Sequence, residues 1–479
     1  MPSLLHVRGL DLDAPGGRPL VRGLDLELGS GERVAVIGRN GVGKSSLLQV
    51  LAGEAETDGG FVRCHGTRHF VPQRLAPSTS PSPAGAYSAG ELRRRHLERA
   101  FDSHADLLLL DEPSDDLDAE GIDWLVVALE RWPSALVVVS HDRRLLSGFD
   151  NYFVVSEGGC HHVQGDLASL MSELERRENL SQQRYARTLL QLESRERHDA
   201  RVRRRRQRKK NLGRLHELGR CPSRARLNEN RSYAQESQGK RAVLQRTRIE
   251  AARSWARASR RTLAVELALS LELPEPPTHA PAAAELDAVG ADIDGRCLFD
   301  GISLRLGHER LAITGPNGAG KSTLLQILTG NQRPSRGRVR CEPLRIGYVA
   351  QNASNFCLKE SLLDQLLDTG RDTGDAPRFD DAARQLQAHR FPLALAERPL
   401  YSLSPGERLR AALIALSRRE PAPDVWVLDE PTGHLDLLGL QALEAVLAAW
   451  RGGLVVVSHD AHFLEAIGVD RRIELGAGR

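Results

Sequence analysis

The amino-acid sequence predicts an α/β fold that is built twice in one chain, with a long antiparallel helical hairpin between the two copies. A glycine-rich loop of one pattern follows a short apolar run at Gly38 and again at Gly315, 277 positions later. The same further motifs then follow each loop in the same order. Between the copies lies a strongly basic segment whose apolar residues recur at helical spacing.

The two loops, residues 38–45 and 315–322, fit the pattern G-x-x-x-x-G-K-[ST], and each lies between a predicted strand and a helix-forming stretch. In this context the glycines let backbone N–H groups close around phosphates, the lysine neutralises them, and the serine hydroxyl reaches Mg²⁺. We therefore predict two sites for a nucleoside triphosphate with Mg²⁺. The candidate loop residues are Gly38, Asn40, Gly41, Gly43, Lys44, Ser45 and Ser46 in the first copy, and Gly315, Asn317, Gly318, Gly320, Lys321, Ser322 and Thr323 in the second.

Each copy then repeats four features: a glutamine after a short apolar run, a small-residue turn that opens a helix, an apolar run ending in two acids, and an apolar run ending in histidine. In this order they supply Gln73, Ser88 with Gly90, Asp111 with Glu112, and His141 in the first copy, and Gln351, Ser404 with Gly406, Asp429 with Glu430, and His459 in the second. The first acid precedes the histidine by 30 positions in both copies. This ordered set resembles the ATP-binding cassette, over roughly residues 3–165 and 286–479. ATP is therefore the expected nucleotide and ATP hydrolysis the expected activity.

Composition is typical of a large intracellular protein. The six cysteines are scattered without a C-x-x-C pair, which disfavours a disulfide framework and a zinc site. The N-terminal residues lack the long apolar core of a signal peptide, and no apolar run approaches the ~20 residues that a membrane helix needs. We expect a soluble, cytoplasmic protein.

The positive charge is concentrated in one segment. Residues 171–261 contain 27 Arg+Lys against 10 Asp+Glu, a balance of +17 in a chain whose net charge is +3. Residues 201–210 hold eight basic side chains in ten positions. Basic side chains on every side of a predicted helix repel one another and destabilise the helix unless a polyanion neutralises them. The run therefore favours contact with nucleic acid over a merely solvated helical face.

Apolar residues at three- and four-residue steps predict two helical arms in this segment, with a turn near residues 211–223 where glycines and a proline break the helix. Arms of about 40 residues are roughly 60 Å long at 1.5 Å per residue. The predicted domains are a first cassette at residues 1–165, a basic hairpin at 166–272, a Pro/Ala-rich connector at 273–285, and a second cassette at 286–479.

Two cassettes, no membrane segment and a basic hairpin between them are similar to the ABC-F family of twin-cassette ATPases. The resemblance spans essentially the whole chain. It implies that residues 171–261 bind the ribosome through rRNA, with the P-site tRNA as a further candidate. It also implies a monomer whose two cassettes pair within the chain.

One difference between the copies indicates which branch of the family the chain resembles. Only 14 residues separate Gln73 from Ser88, whereas 52 separate Gln351 from Ser404. The first gap is too short for the helical subdomain that receives the membrane subunit of a transporter. A first cassette with this subdomain truncated is similar to the antibiotic-resistance branch, whose members protect the ribosome against drugs.

In the ABC-F arrangement the cassettes face head to tail, so that each phosphate-binding loop meets the Ser-x-Gly-Glu turn of the other cassette, here called the signature turn (residues 88–91 and 404–407). Site one is then the site of the first loop with Ser404 and Gly406, and site two is that of the second loop with Ser88 and Gly90. The resemblance implies that Mg²⁺ is held by the loop serine and the first acid, that the second acid activates water, and that the histidine holds the γ-phosphate. These residues are Ser45, Asp111, Glu112 and His141 at site one, and Ser322, Asp429, Glu430 and His459 at site two.

The coupling loops, residues 114–118 and 432–436, depart from the Thr-Asn-His-Leu-Asp usual in the family. Because this loop couples the two sites, the sequence leaves their equivalence open, together with the choice between resistance and housekeeping translation. Two other classes remain as alternatives. An exporter ATPase subunit is opposed by the short first gap, and a DNA-directed repair ATPase usually carries its coiled coil inside a cassette.

Overall fold

The computed structural model describes most of both cassettes. The residues described are 3–14, 17–74, 89–156, 159–180, 281–293, 295–368, 379–389, 391–419, 421–433 and 435–476, with a few single positions between 183 and 205. By internal contacts the chain divides into one unit of Met1–Glu173 with Ala268–Arg479 and a second of Leu174–Leu267. Residues 167–180 are helical. The predicted residue Ser88, nearly all of the predicted hairpin with its turn, and most of the connector lie outside the described residues.

Cassette one contains a three-stranded antiparallel sheet in the order β2-β1-β4 and a six-stranded sheet in the order β5-β6-β7-β3-β8-β9. The larger sheet is parallel except for its last pair, β8 and β9. The strands are β1 (Leu5–Ala14), β2 (Arg18–Leu28), β3 (Arg33–Gly38), β4 (Gly59–Cys64), β5 (Arg68–Val71), β6 (Leu107–Asp111), β7 (Ala135–Val139), β8 (Asn151–Ser156) and β9 (Gly159–Gln164). The helices are α1 (Lys44–Ala52), α2 (Ala89–Phe101), α3 (Ala119–Arg131) and α4 (Arg143–Leu146).

Cassette two repeats this plan with a sheet in the order β11-β10-β13 and a five-stranded parallel sheet in the order β14-β15-β16-β12-β17. Its strands are β10 (Ala284–Ile293), β11 (Arg296–Leu306), β12 (Arg310–Thr314), β13 (Arg336–Cys341), β14 (Ile346–Val349), β15 (Val425–Asp429), β16 (Gly453–Val457) and β17 (Arg471–Glu474). Its helices are α5 (Lys321–Leu328), α6 (Leu362–Asp368), α7 (Phe379–Ala388), α8 (Leu393–Ala396), α9 (Pro405–Ser417), α10 (Leu437–Ala449) and α11 (Ala461–Ala466).

The central strands are short apolar runs that are buried along their whole length. Every residue of β6, β7, β15 and β16 is buried, as expected for parallel strands covered by helices on both faces. Helix α1 covers one face of the first sheet through Leu47, Leu48 and Leu51, which belong to the same apolar cluster as β6 and β7. The predicted α/β class with two cassettes is confirmed.

The long gap of cassette two, between Gln351 and Ser404, contains the helices α6, α7 and α8, which pack with α9 around a separate apolar cluster. Helix α9 begins with a capping box: the Ser404 hydroxyl accepts from the Glu407 N–H, and the Glu407 carboxylate accepts from the Ser404 N–H at 2.8 Å. Pro405 occupies the first helical position, where its missing N–H leaves no bond unmade.

Strand order brings the motifs together. In each large sheet the strand before the phosphate-binding loop is separated from the strand ending in two acids by the strand that leads to the histidine, in the orders β6-β7-β3 and β15-β16-β12. Parallel strands end at the same edge of a sheet. The loop, the acids and the histidine therefore meet at one edge in each cassette.

We predict that Gly453→Ala destabilises cassette two. A Cβ atom at Gly453 would lie 2.0 Å from the Gly307 carbonyl oxygen and 2.9 Å from a Val425 methyl group, so β16 or its neighbours must shift. We expect the free energy of unfolding to fall by about 2 kcal/mol. Denaturant titration followed by the fluorescence of the buried residues Trp426 and Trp450 measures this change.

The matched control is Gly476→Ala, because a Cβ atom at Gly476 meets nothing within 4 Å. Equal midpoints for the two variants would contradict the close approach of Gly453 to Gly307, in the segment between β11 and β12.

Candidate functional site

Both phosphate-binding loops enter their helices through a glycine in the left-handed region. Gly43 precedes α1 with a φ of 106°, and Gly320 precedes α5 with a φ of 90°. A Cβ atom at Gly43 would lie 2.8 Å from the Leu20 Cβ atom, so space as well as conformation requires glycine. The first backbone N–H groups of α1 and α5 have no partner within the helix, which makes each helix start a potential anion-binding site. Ser46 and Thr323 lie in the first turns of these helices.

The two loop lysines are buried and curl back onto their own loops. Lys44 donates through Nζ to the Gly38 carbonyl at 2.7 Å and the Arg39 carbonyl at 3.2 Å. Lys321 donates to the Gly315 carbonyl at 2.8 Å and the Pro316 carbonyl at 3.2 Å. Burial lowers the pKa of both ammonium groups, and neighbouring carboxylates oppose this shift.

A histidine and a glutamate complete each cluster. His141 Nε2 lies 3.0 Å from Lys44 Nζ and 3.2 Å from Glu112 Oε1. The corresponding distances from His459 Nε2 are 3.1 Å to Lys321 Nζ and 3.2 Å to Glu430 Oε1. The two cassettes therefore form the same Lys-His-Glu cluster, from lysines 277 positions apart and from histidines and glutamates 318 positions apart.

The glutamates are unusual in both charge and backbone. Burial raises the pKa of Glu112 and of Glu430 to about 8, against the opposing effect of the loop lysine. Burial, followed by the charge of Lys321, lowers the pKa of His459 to about 4, so this imidazole is neutral at pH 7. Glu112 and Glu430 have φ values of 44° and 45°, a left-handed conformation that non-glycine residues adopt at a cost and that clusters at functional sites.

The donor set next to each glutamate suits Mg²⁺. Ser45 is hydrogen-bonded to Asp111, and Ser322 to Asp429. Burial raises the pKa of both aspartates, and the serine bond opposes it. Within the described part of the chain, Asp111 Oδ1 is buried without a hydrogen-bond partner. A hydroxyl oxygen beside a carboxylate oxygen is a ligand pair that Mg²⁺ prefers.

Cassette one contacts the second phosphate-binding loop directly. Asn317 donates through Nδ2 to the Asp116 carbonyl in the coupling loop of cassette one at 3.0 Å. A Cβ atom at Gly90, in the signature turn of cassette one, would lie 2.6 Å from the same carbonyl oxygen and 3.5 Å from Asn317 Nδ2. Two predicted parts of site two, the second phosphate-binding loop and the signature turn of cassette one, therefore meet at the coupling loop of cassette one.

Charge also crosses between the cassettes. Asp436 of cassette two acts on the pKa of Lys44, and Asp118 of cassette one acts on the pKa of Lys321, in each case upwards. Arg143, two residues after His141, forms a bidentate ion pair with Glu444 in α10, with N–O distances of 2.6 and 3.1 Å. Both side chains of this pair are largely buried, at 14% and 12% exposure.

The remaining predicted residues lie close by in different roles. Gln73 donates through Nε2 to Asp115 in the coupling loop at 3.0 Å. Gln351 opens a short 3₁₀ turn, Gln351–Ala353. In cassette two, Ser404 caps α9, and a Cβ atom at Gly406 would lie 3.0 Å from Leu435.

Sequence reasoning identified the coupling loops but missed the individual aspartates Asp116, Asp118 and Asp436 as site residues. The signal for Asp118 and Asp436 was present, because each of them ends its loop just before an apolar helix, which is the pattern of a helix cap. It missed Arg143 and Glu444 altogether. A pair 301 positions apart has no local signature.

Comparison with known proteins agrees with this geometry. A family model described as "ABC transporter" matches residues 21–80 and 299–433, one part in each cassette. ATP-binding cassette sub-family F member 3 of Rattus norvegicus is 28% identical over 94% of this chain and 68% of its own length. Ribosome protection protein VmlR of Bacillus subtilis is 27% identical over 91% of this chain and 80% of its own.

Among solved structures, the archaeal ribosome recycling factor aABCE1 in complex with ribosomal stalk protein aP1 is similar in fold. Its TM-score is 0.58 at 16% identity, over 97% of this chain and 87% of that one. No helix among the described residues has the length and apolar character to cross a membrane. With a repeated cassette, paired Lys-His-Glu clusters and relatives aligned over nearly its whole length, the chain is similar to the ABC-F family of twin-cassette ATPases.

Proposed function

We propose that this protein is an ABC-F ATPase that binds Mg-ATP at two composite sites between its cassettes and acts on the ribosome. The observation that supports composite sites best is the meeting of Asn317, Gly90 and the Asp116 carbonyl, which come from two cassettes. A nucleotide in the second phosphate-binding loop would then have partners from both cassettes, because the start of helix α2 of cassette one lies against that loop. Binding of ATP is then coupled to the pairing of the cassettes.

The chemistry follows from the clusters. Bound Mg²⁺ neutralises phosphate charge, and Ser45 with Asp111, or Ser322 with Asp429, would hold it. The loop lysines bind the phosphates, and Glu112 and Glu430 take a proton from the attacking water. A glutamate whose pKa burial raises to about 8 is, in its ionised form, a stronger base than an ordinary carboxylate. His141 and His459, each 3.2 Å from its glutamate, orient that carboxylate and would also contact the γ-phosphate.

The ribosome is proposed as the partner on two grounds. The relative VmlR is named a ribosome protection protein, and it matches 91% of this chain. Residues 171–261 carry a balance of +17, which suits a phosphate backbone. We further propose that this segment binds rRNA, with the P-site tRNA within its reach, and that the protein protects the ribosome against an antibiotic.

The first functional prediction concerns the glutamates. We expect Glu112→Gln with Glu430→Gln to lower kcat for ATP hydrolysis by at least 100-fold and to leave ATP binding within a few-fold, because water loses its base while the phosphate cradle stays. Steady-state hydrolysis and equilibrium binding of a fluorescent ATP analogue measure the two effects.

The control for this experiment is Glu120→Gln with Glu465→Gln, two exposed glutamates in the same cassettes. This control pair should retain its full turnover. Unchanged hydrolysis in the double variant of Glu112 and Glu430 would disprove their role as bases.

The second prediction concerns salt. Ribosome binding by the Glu112→Gln, Glu430→Gln variant with ATP should weaken steeply as salt rises, because each neutralised phosphate releases counterions. The logarithm of the binding constant falls with the logarithm of the salt concentration, with a slope near −0.9 per phosphate contact for duplex DNA. We expect about the same slope for folded RNA. Changing the arginines at positions 203–206 to serine should flatten the slope, measured by co-sedimentation. The same four changes to lysine keep the charge and should keep the slope. Binding that depends neither on salt nor on these changes would show that residues 201–210 form only a solvated helix.

The third prediction concerns the predicted turn of the hairpin. Replacing residues 212–223 by a short Gly/Ser linker should leave ATP binding and ribosome sedimentation intact, because the cassettes and residues 201–210 remain. It should abolish any drug resistance that the intact protein gives to a sensitive host, because arginines such as Arg214 and Arg220 are lost from the region proposed to contact rRNA. Growth in a drug series measures this. Resistance that survives the change would exclude the turn as the effector, and no resistance from the intact protein would favour a housekeeping role.

A further inference from the structure

Arg93 in α2 is the most deeply buried charged side chain near site one, at 1% exposure. It follows the signature turn of cassette one by two residues. Burial lowers the pKa of its guanidinium, and four carboxylates, Asp115 foremost, oppose that effect. A buried arginine persists in a fold when its donors are satisfied, so its partners indicate its role.

All the hydrogen bonds recorded for this guanidinium go to main-chain carbonyls of two loops. Nη2 donates to the Asp111 and Glu112 carbonyls, both at 2.8 Å. Nη1 donates to the Pro72 carbonyl at 2.7 Å and more weakly to that of Gln73 at 3.4 Å. Nε points to the Pro113 carbonyl at 3.4 Å. One side chain thus ties α2 to the loop after β5 and to the loop after β6.

The second of these loops carries the strained glutamate. Glu112 has a φ of 44°, and Arg93 binds its carbonyl together with the carbonyl before it and the one after it. Such a backbone persists only when its surroundings determine it firmly. In cassette one, charge-assisted bonds from a rigid, planar donor add to that support, whereas Glu430 of cassette two has a φ of 45° without an arginine at the equivalent position.

Cassette two has no arginine at the position equivalent to Arg93. The signature turns place Ser88, Gly90 and Glu91 in register with Ser404, Gly406 and Glu407, so Leu409 stands at the position of Arg93. A cavity of about 20 Å³ lies beside Leu409, with room for about one water molecule. It is lined by Ala350, Asp429, Glu430 and Pro431, which correspond to four of the five residues whose carbonyls Arg93 binds in cassette one.

We infer that Arg93 is a positioning residue for site one: by holding the carbonyls around Glu112, it fixes the proposed base in place, and site two works without this support. The inference rests on the proposed role of Glu112. It makes the two sites unequal in how firmly their bases are held.

The primary test needs no turnover. Hydrogen exchange of the nucleotide-free full-length protein, followed by mass spectrometry, should show slower exchange in peptides covering residues 111–117 than in those covering residues 429–435. Arg93→Leu, which introduces the residue of cassette two, should speed exchange in the first region at least tenfold and leave the second within twofold. Arg93→Lys keeps the charge and part of the bonding, so it should fall between.

The kinetic test separates positioning from folding. In a Glu430→Gln background, which removes turnover at site two, Arg93→Leu should lower the remaining kcat for ATP hydrolysis by at least tenfold while KM changes less than twofold, and Arg93→Lys should recover part of kcat. The matched control is Arg94→Leu, a neighbour on the outer face of α2 that pairs with Glu98 and stacks on Trp124. This control should alter neither the exchange at residues 111–117 nor kcat.

Three outcomes would overturn the inference. Unchanged exchange at residues 111–117 would show that Arg93 does not fix this backbone. Faster exchange throughout cassette one, with a lower melting temperature for both Arg93 variants, would show a merely structural role. Faster local exchange with unchanged kcat would show that this backbone need not be fixed for hydrolysis. Failure of the proposed base is a different result, because it appears as full turnover in the Glu112 and Glu430 double variant while the exchange pattern stays as expected.

Discussion

Buried charge at the ends of the parallel strands is the constraint on which the two sites depend. Lys44 and Lys321 are each less than one tenth exposed, and so is Glu112. A buried charge is tolerated only when opposite charges and hydrogen bonds surround it. Loop carbonyls and the cluster glutamate supply part of that environment, and Asp436 and Asp118 supply more from the opposite cassette. Pairing of the cassettes therefore completes a charge balance that neither cassette has alone.

The two sites share a scaffold but differ in chemistry. The paired Lys-His-Glu clusters agree to within 0.1 Å in their nitrogen and oxygen distances. Beside site one, Arg143 pairs with Glu444, whereas the positions in register with them hold Ala461 and Val126, which cannot form an ion pair. Arg93 and Leu409 differ in the same way. The duplicated fold has thus kept the atoms that would contact phosphate and has diverged in those that support them.

The sequence predicts well whatever depends on neighbours in the chain. The phosphate-binding loops, the strands ending in paired acids and their convergence with the histidines follow from short motifs and from parallel strand order. The sequence did not predict contacts between distant positions. Examples are Asn317 with Asp116, Arg143 with Glu444, and Arg93 with the carbonyls beyond β5 and β6. Each of these joins ordinary-looking residues through folding alone. The predicted hairpin and Ser88 remain predictions.

The coupling loops show how one residue can serve both the fold and communication between the sites. Asp436 accepts a hydrogen bond from the Gly439 N–H at 2.7 Å and so caps α10, while its charge acts on Lys44 of the other cassette. A helix cap contributes about 1 kcal/mol to the stability of its helix, so movement of the Asp436 carboxylate away from the Gly439 N–H would destabilise α10. The same helix carries Glu444, whose partner Arg143 follows His141 by two residues. Helix α10 thus interacts with cassette one through its N-cap residue and again about two turns later, and it begins only seven residues after Glu430 of site two. The coupling loop of cassette two is thus a short covalent connection between Asp436, whose charge acts on Lys44 of site one, and Glu430, the proposed base of site two.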